Sequence, residues 1–122
     1  GKEAAEGTYI ATGKVWIADQ LAEGDPQKEL ISKYVKDFNS KYNSGASPID
    51  GMAYDTVLLL AEAMEMAGDN VNRETIRENL EKVQKLVGTT GIFNLSAEDH
   101  NGLKPEDIHI LQVKNGKWVQ PE

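Results

Sequence analysis

Met52-Ala53-Tyr54-Asp55-Thr56-Val57-Leu58-Leu59-Leu60-Ala61-Glu62-Ala63-Met64-Glu65-Met66-Ala67 is the stretch on which the fold turns. Its apolar residues fall on nearly every side of a 3.6-residue helix, leaving a narrow polar stripe of Asp55, Glu62 and Glu65. A helix of that kind is expected to be buried on most sides, which suits a large layered α/β body. The predicted helix runs from about Gly51 to Ala67, and Gly68 suits its left-handed closing position. The other elements offer only one amphipathic helix on each flank, too little to cover it, so the sequence points to a missing partner.

Before this helix, Asp25 and Pro26 predict the N-cap and first position of another. Its apolar stripe is Leu30, Ile31, Tyr34, Val35, Phe38 and Tyr42, and Asn43 to Pro48 ends it. Upstream lie a β-rich run, Thr8 to Thr12, closed by Gly13, and a further expected strand at Val15 to Ala18. Downstream, Asn72 predicts the N-cap of a third helix, with Val71 and Ile76 placed as a hydrophobic staple and Ile76, Leu80 and Val83 on its core face. The tail reads as β: Gly91 to Leu95, then Ile108 to Val113. Asn115-Gly116 between Val113 and Trp118 is a two-residue hairpin signal.

Composition excludes several functions. The 122 residues carry 20 acids and 13 bases, a net charge of −7, which argues against a nucleic-acid or anionic-membrane surface. With 39% hydrophobic and 27% charged residues the chain reads as globular rather than disordered. No run approaches the roughly 18 to 20 apolar residues of a membrane span. There is no cysteine, hence no disulfide framework, thiol nucleophile or thiolate metal site. The first seven residues are polar and lack the apolar core of a signal peptide, as a mature or a truncated chain would.

Catalytic patterns are missing too. The chain has no Gly-x-Ser-x-Gly, no His-Glu-x-x-His and no phosphate-binding glycine loop. His100 falls in a polar turn and His109 in a strand, both read as surface or satisfied histidines rather than catalytic ones. Placing Gly102 at the glycine of a calcium loop puts Ala97 and Ile108 at the first and last ligand positions, so Asp99 to Gly102 is a plain turn. Neither an enzyme nor a metal site is expected.

The order of motifs carries a resemblance. Tyr54-Asp55-Thr56-Val57 and the apolar run after it are similar to the Tyr-Asp-Ala-Val helix of type I solute-binding proteins in the leucine/isoleucine/valine-binding family. Ala5-Glu6-Gly7-Thr8-Tyr9 resembles the Ala-Glu-Gly strand that follows a crossing between lobes. Phe38 to Tyr42 with Pro48, Glu74 to Leu80, Gly88-Thr89-Thr90-Gly91-Ile92-Phe93-Asn94, and Val113 to Trp118 follow in family order. Thr56 and Asn94 depart from the usual Ala and Asp. Nearly the whole chain is covered.

The resemblance implies a fragment of the two-lobed type I periplasmic-binding-protein fold, about its carboxy-terminal third, with a strand and three helices before the C-terminal strands and hairpin. Residues 7–90 would complete the amino-terminal lobe. Residues 91–122 would supply a crossing strand and edge strands of the other. It implies an extracellular or periplasmic receptor that delivers amino acids of the branched-chain type, or similar small polar solutes, to an ABC permease, with no cofactor. A family pocket residue about five positions before the tyrosine maps to Ile49. Ile49, Asp50 and Gly51 are expected in a loop feeding the amino end of the second helix, where Asp50 is placed to hold a ligand ammonium group or to cap the helix, and Tyr54 is a pocket or core residue. Thr12, Gly13, Phe93 and Asn94 map near inter-lobe crossings. For Asp55, a favourable place near the positive end of the helix dipole is at least as good a reading as ligand contact. A sensor domain of the same fold and a free-standing α/β interaction domain remain as alternatives, and the uncovered second helix predicts self-association of the chain.

Overall fold

The computed structural model describes residues 3–121. Its strands and helices are β1 (Tyr9–Thr12), α1 (Lys28–Tyr42), α2 (Pro48–Ala67), α3 (Arg73–Leu80), β2 (Leu86–Val87), β3 (Ile92–Phe93), β4 (His109–Lys114) and β5 (Lys117–Val119).

Two sheets form. β4 is the middle strand of an antiparallel three-stranded sheet, pairing with β1 from Tyr9↔Gln112 to Thr12↔His109 and with β5 from Gln112↔Val119 to Lys114↔Lys117. The turn between β4 and β5 is the predicted Asn115-Gly116, with φ of 55° and 69°, the left-handed pair that matches strand twist. Glu6 anchors it, its two carboxylate oxygens accepting from the Asn115 and Gly116 amides at 2.7 and 3.1 Å. β2 and β3 form a separate two-stranded ribbon.

Alternation along β4 turns Leu111 and Val113 inward and leaves Ile110 exposed. Leu111 packs with Ile17, Leu21 and Ile31, joined by Ile10, Val35 and Trp118. Trp16 stacks on Trp118 with ring centroids 5.1 Å apart and planes 4° from parallel. The expected strand at Val15 to Ala18 is instead part of a 3₁₀ segment, Val15–Gln20. It has no strand beside it to accept its amides, which turn back on themselves, Ile17 N–H donating to Lys14 O at 3.0 Å.

Helix boundaries moved for local reasons. α1 begins at Lys28 rather than at Pro26, because the Asp25 carboxylate accepts from the Gln27 amide at 2.9 Å in a turn ahead of the helix and also holds Lys14 at 2.7 Å. α2 begins at Pro48, earlier than expected, because Ser47 rather than Asp50 is the N-cap. The Ser47 hydroxyl accepts from the Asp50 amide, and Asp50 Oδ2 accepts the Ser47 N–H at 3.0 Å and its hydroxyl at 2.6 Å, a reciprocal capping box. At α3 the predicted cap holds, with Asn72 Oδ1 accepting from the Glu74 and Thr75 amides.

The burial of α2 inverts the expectation. Its buried positions are Pro48, Gly51, Asp55 and Ala63, while Met52, Val57, Leu60, Met64 and Met66 are exposed, Val57 by 64%. α3 packs on α2, with the Asn79 side chain donating to Ala63 O at 3.1 Å. The chain turns its polar stripe at Asp55 inward and leaves the apolar sides of α2 uncovered. No helix among the described residues is long and apolar enough to cross a membrane. A division at residues 90 and 91 also crosses the packing, since β1 shares a sheet with β4 and β5 while β2 and β3 pair with each other.

Candidate functional site

Ile49, Asp50 and Gly51 lie in the first turn of α2, not in a loop before it, and Tyr54 follows in the second turn. Ile49 is 76% exposed. Asp50 is half-buried; Oδ2 serves the capping box, and Oδ1 takes no hydrogen bond among the described residues. Tyr54 leans on Tyr34 of α1 with centroids 4.9 Å apart. Asp50 and Tyr54 open onto one groove of about 440 Å³ between α1 and α2, walled by Ala53 and by Tyr34, Phe38 and Tyr42. That volume falls within the range of small-molecule sites. The Tyr34 hydroxyl is buried with no hydrogen-bond partner among the described residues, and burial, then the Asp50 and Asp55 carboxylates, push its pKa up.

Gly51 points elsewhere. It is buried, and a β-carbon there would lie 2.5 Å from Thr89 Oγ1. It serves the contact between α2 and the Gly88 to Gly91 loop rather than open space.

That loop joins β2 to β3 and is held by a residue read differently from the sequence. Asp55, 2% exposed, is the eighth residue of α2, beyond the first turn where the helix dipole acts. Its Oδ1 accepts from the Thr89 amide at 2.6 Å. Its Oδ2 accepts from the Thr90 amide at 2.8 Å and the Thr89 hydroxyl at 3.1 Å. From the start of α1, the buried Gln27 side chain donates to Gly88 O at 2.8 Å. Gln27 was not singled out, and Thr89 and Thr90 entered only as members of the Gly88 to Asn94 motif; buried polar residues of this kind give no periodic signal.

Thr12 is the last residue of β1, and Gly13 follows it onto the loop, where a β-carbon would lie 3.5 Å from Thr89 O and from Thr90 Cα. Phe93 and Asn94 sit differently. Phe93 is buried beside Gly88, and the Asn94 amide donates to Gly102 O at 2.8 Å, within the ribbon and the turn that follows it. The chain returns to the three-stranded sheet further on, at Asp107 to His109.

His109 stands opposite Thr12 in the sheet. Its Nε2 is buried and has no partner among the described residues, and burial, then Lys14, hold its pKa below the ordinary value against the opposing pull of Asp25 and Asp107. His100 is exposed, with Nε2 3.4 Å from Glu81. No group of three or more metal-ligating side chains occurs among the described residues.

Comparison with known proteins places this arrangement. A profile of the periplasmic binding protein family matches residues 1–117. Among solved structures, an extracellular ligand-binding receptor from Rhodopseudomonas palustris superposes with a TM-score of 0.88 at 27% identity, covering 98% of this chain and 35% of that one. A leucine binding protein, LivK, of Thermotoga maritima superposes with a TM-score of 0.72 at 27% identity, over 98% of this chain and 31% of its own. The branched-chain amino acid transporter substrate binding protein LivJ of Streptococcus pneumoniae, in complex with isoleucine, gives 0.71 at 26% identity, over 98% and 32%. A search of curated proteins gave no match. The chain spans about a third of the length of the solved structures it matches. On the match over residues 1–117, the chain belongs to the periplasmic binding protein family, whose members bind solutes and are not enzymes.

Proposed function

We propose that the chain is part of the solute-binding component of an ABC transporter, a periplasmic or extracellular receptor for amino acids of the branched-chain type or similar small polar solutes. The observation that carries this reading is the opening of Asp50 and Tyr54 onto one groove at the start of α2. A carboxylate oxygen outside the capping box suits a ligand ammonium group, and the aromatic wall of Tyr34, Phe38, Tyr42 and Tyr54 suits an apolar side chain. Gly51 contributes by bringing α2 close to Thr89 rather than by touching ligand.

In this reading the receptor is longer than the chain and has two lobes. The three-stranded sheet belongs to one; α2, α3 and the β2–β3 ribbon belong to the other. Thr12 and Gly13 form one crossing and Asp107 to His109 another, while Phe93 and Asn94 support the second from within the ribbon. The partners are the remainder of the receptor and a membrane permease.

The test is a thermal-shift screen of the longer receptor against the common amino acids, repeated with Tyr54→Ala. Stabilisation by a subset of amino acids, lost in the variant, is expected. No response to any amino acid refutes the ligand class, and an unchanged response in Tyr54→Ala refutes the site.

A further inference from the structure

We infer that the Gly88 to Gly91 loop is the pivot block on which the two crossings bend, and that Asp55 is the positioning residue that holds it in register. The inference rests on the two-lobed reading above and goes beyond it by naming the device that sets the angle between the lobes.

Four observations carry it. The polar or charged residues that are buried, among the described residues, are Gln27, Asp55, Thr89 and Thr90, and all four meet at this loop. Asp55 has no cationic partner there; three donors from Thr89 and Thr90 satisfy it instead. A buried carboxylate is costly unless fully hydrogen-bonded, and once satisfied such a network favours one geometry over its neighbours. An apolar residue at position 55 would bury more simply, so the carboxylate is explained by position rather than by stability.

The second observation is steric. β-carbons at Gly51 and Gly88 would fall 2.5 Å from Thr89 Oγ1 and 2.9 Å from Asp55 Cγ, so the Thr89 side chain seats on the backbone of α2 and the Asp55 side chain on the backbone of the loop. The third and fourth are the crossings. Gly13 rests on Thr89 and Thr90 at one end of the loop. At the other, a β-carbon on Gly91 would lie 2.6 Å from Asp107 Cγ, and Asp107 Oδ1 accepts from the Ile92 amide at 3.2 Å. Both connections between the three-stranded sheet and the α2–α3 body therefore lie against one four-residue block.

The test is made on the 122-residue chain without ligand, by amide exchange and residual dipolar couplings in Asp55→Asn. The Thr89 and Thr90 amides should exchange about 10- to 100-fold faster, as expected for a weakened buried hydrogen bond. The couplings of residues 9–12 and 109–119 should still fit one rigid sheet, and those of α2 and α3 one rigid body, but the two should no longer share the wild-type relative orientation. Faster exchange with the orientation unchanged would overturn the inference and leave Asp55 a local structural residue. Should Asp55→Asn fail to fold, Gly91→Ala, which displaces Asp107 and leaves the Asp55 bonds in place, must change the relative orientation; no change overturns the inference. Since no solute is used, absence of amino acid binding by the longer receptor would sink the proposed function and leave this result standing.

Discussion

Gly51→Ala separates the close contact of α2 with the Thr89 loop from ordinary helix propensity, because the two predict opposite signs. In an unhindered helix position alanine is favoured over glycine by about 1 kcal/mol. Here the new methyl would stand 2.5 Å from Thr89 Oγ1 and 3.3 Å from Thr89 Cβ and Val15 Cγ2. Thr89 is fully buried and cannot yield freely, since its amide and hydroxyl are both bound to Asp55. Rotating the hydroxyl away forfeits a bond to a charged group, about 1.5 to 3 kcal/mol, and overpacking alone costs about 1 to 3 kcal/mol. Against the propensity gain, the variant should be less stable by roughly 2 kcal/mol, or about 6 to 10 °C in Tm for a chain of this size. Urea unfolding followed by circular dichroism for the helices and by Trp16 and Trp118 fluorescence for the sheet measures it. Gly24→Ala, where a β-carbon meets nothing within 4 Å, is the control and should be neutral or slightly stabilising. A Gly51→Ala protein as stable as wild type would refute the packing of α2 on the loop.

Three further outcomes follow from the same structure. Burial, then Lys14, keep His109 below its ordinary pKa, so the unfolded chain binds the proton more readily; stability should be level above about pH 6.5 and fall as pH drops below it, and His109→Gln should flatten that limb in denaturation midpoints measured between pH 7 and 5. An unchanged limb in the variant would assign it to other groups. Ser47→Ala removes the cap of α2 and should cost about 1 kcal/mol by urea unfolding, against no change if Pro48 alone starts the helix. The exposed apolar positions Val57, Leu60 and Met64 should drive self-association of the chain, and Val57→Glu with Leu60→Glu should shift it to monomer in sedimentation; a wild-type monomer at high concentration contradicts this.

Much of the architecture could be read from local chemistry. Asn115-Gly116 demanded a hairpin because both residues take positive φ, and Asn72 capped α3 because its short side chain reaches the amides ahead of it. The family resemblance rested on the order of such motifs. The site was read less well, for physical reasons. Hydrophobic periodicity assigned Asp55 to a solvent stripe, since a buried carboxylate with backbone donors 34 and 35 residues away leaves no local mark. The same periodicity asked for α2 to be covered, but the apolar surface of α2 needs partners that these residues do not provide. Val15 to Ala18 read as a strand from composition, and the lack of a neighbouring strand decided otherwise. Asp50 was picked from its place ahead of the helix and Tyr54 from the motif that carries the resemblance, while the α1 aromatics that wall their groove were read only as a core stripe.

The central claim is that this chain forms part of a two-lobed receptor whose cleft closes on a small amino acid. Calorimetric titration of leucine, isoleucine and valine into the 122-residue chain and into the longer receptor tests it most directly. Part of a cleft offers few convergent contacts, so the account predicts at best very weak binding to the chain alone and tight, saturable binding of at least one amino acid to the receptor. Micromolar affinity in the isolated chain, with no gain in the longer protein, would contradict it.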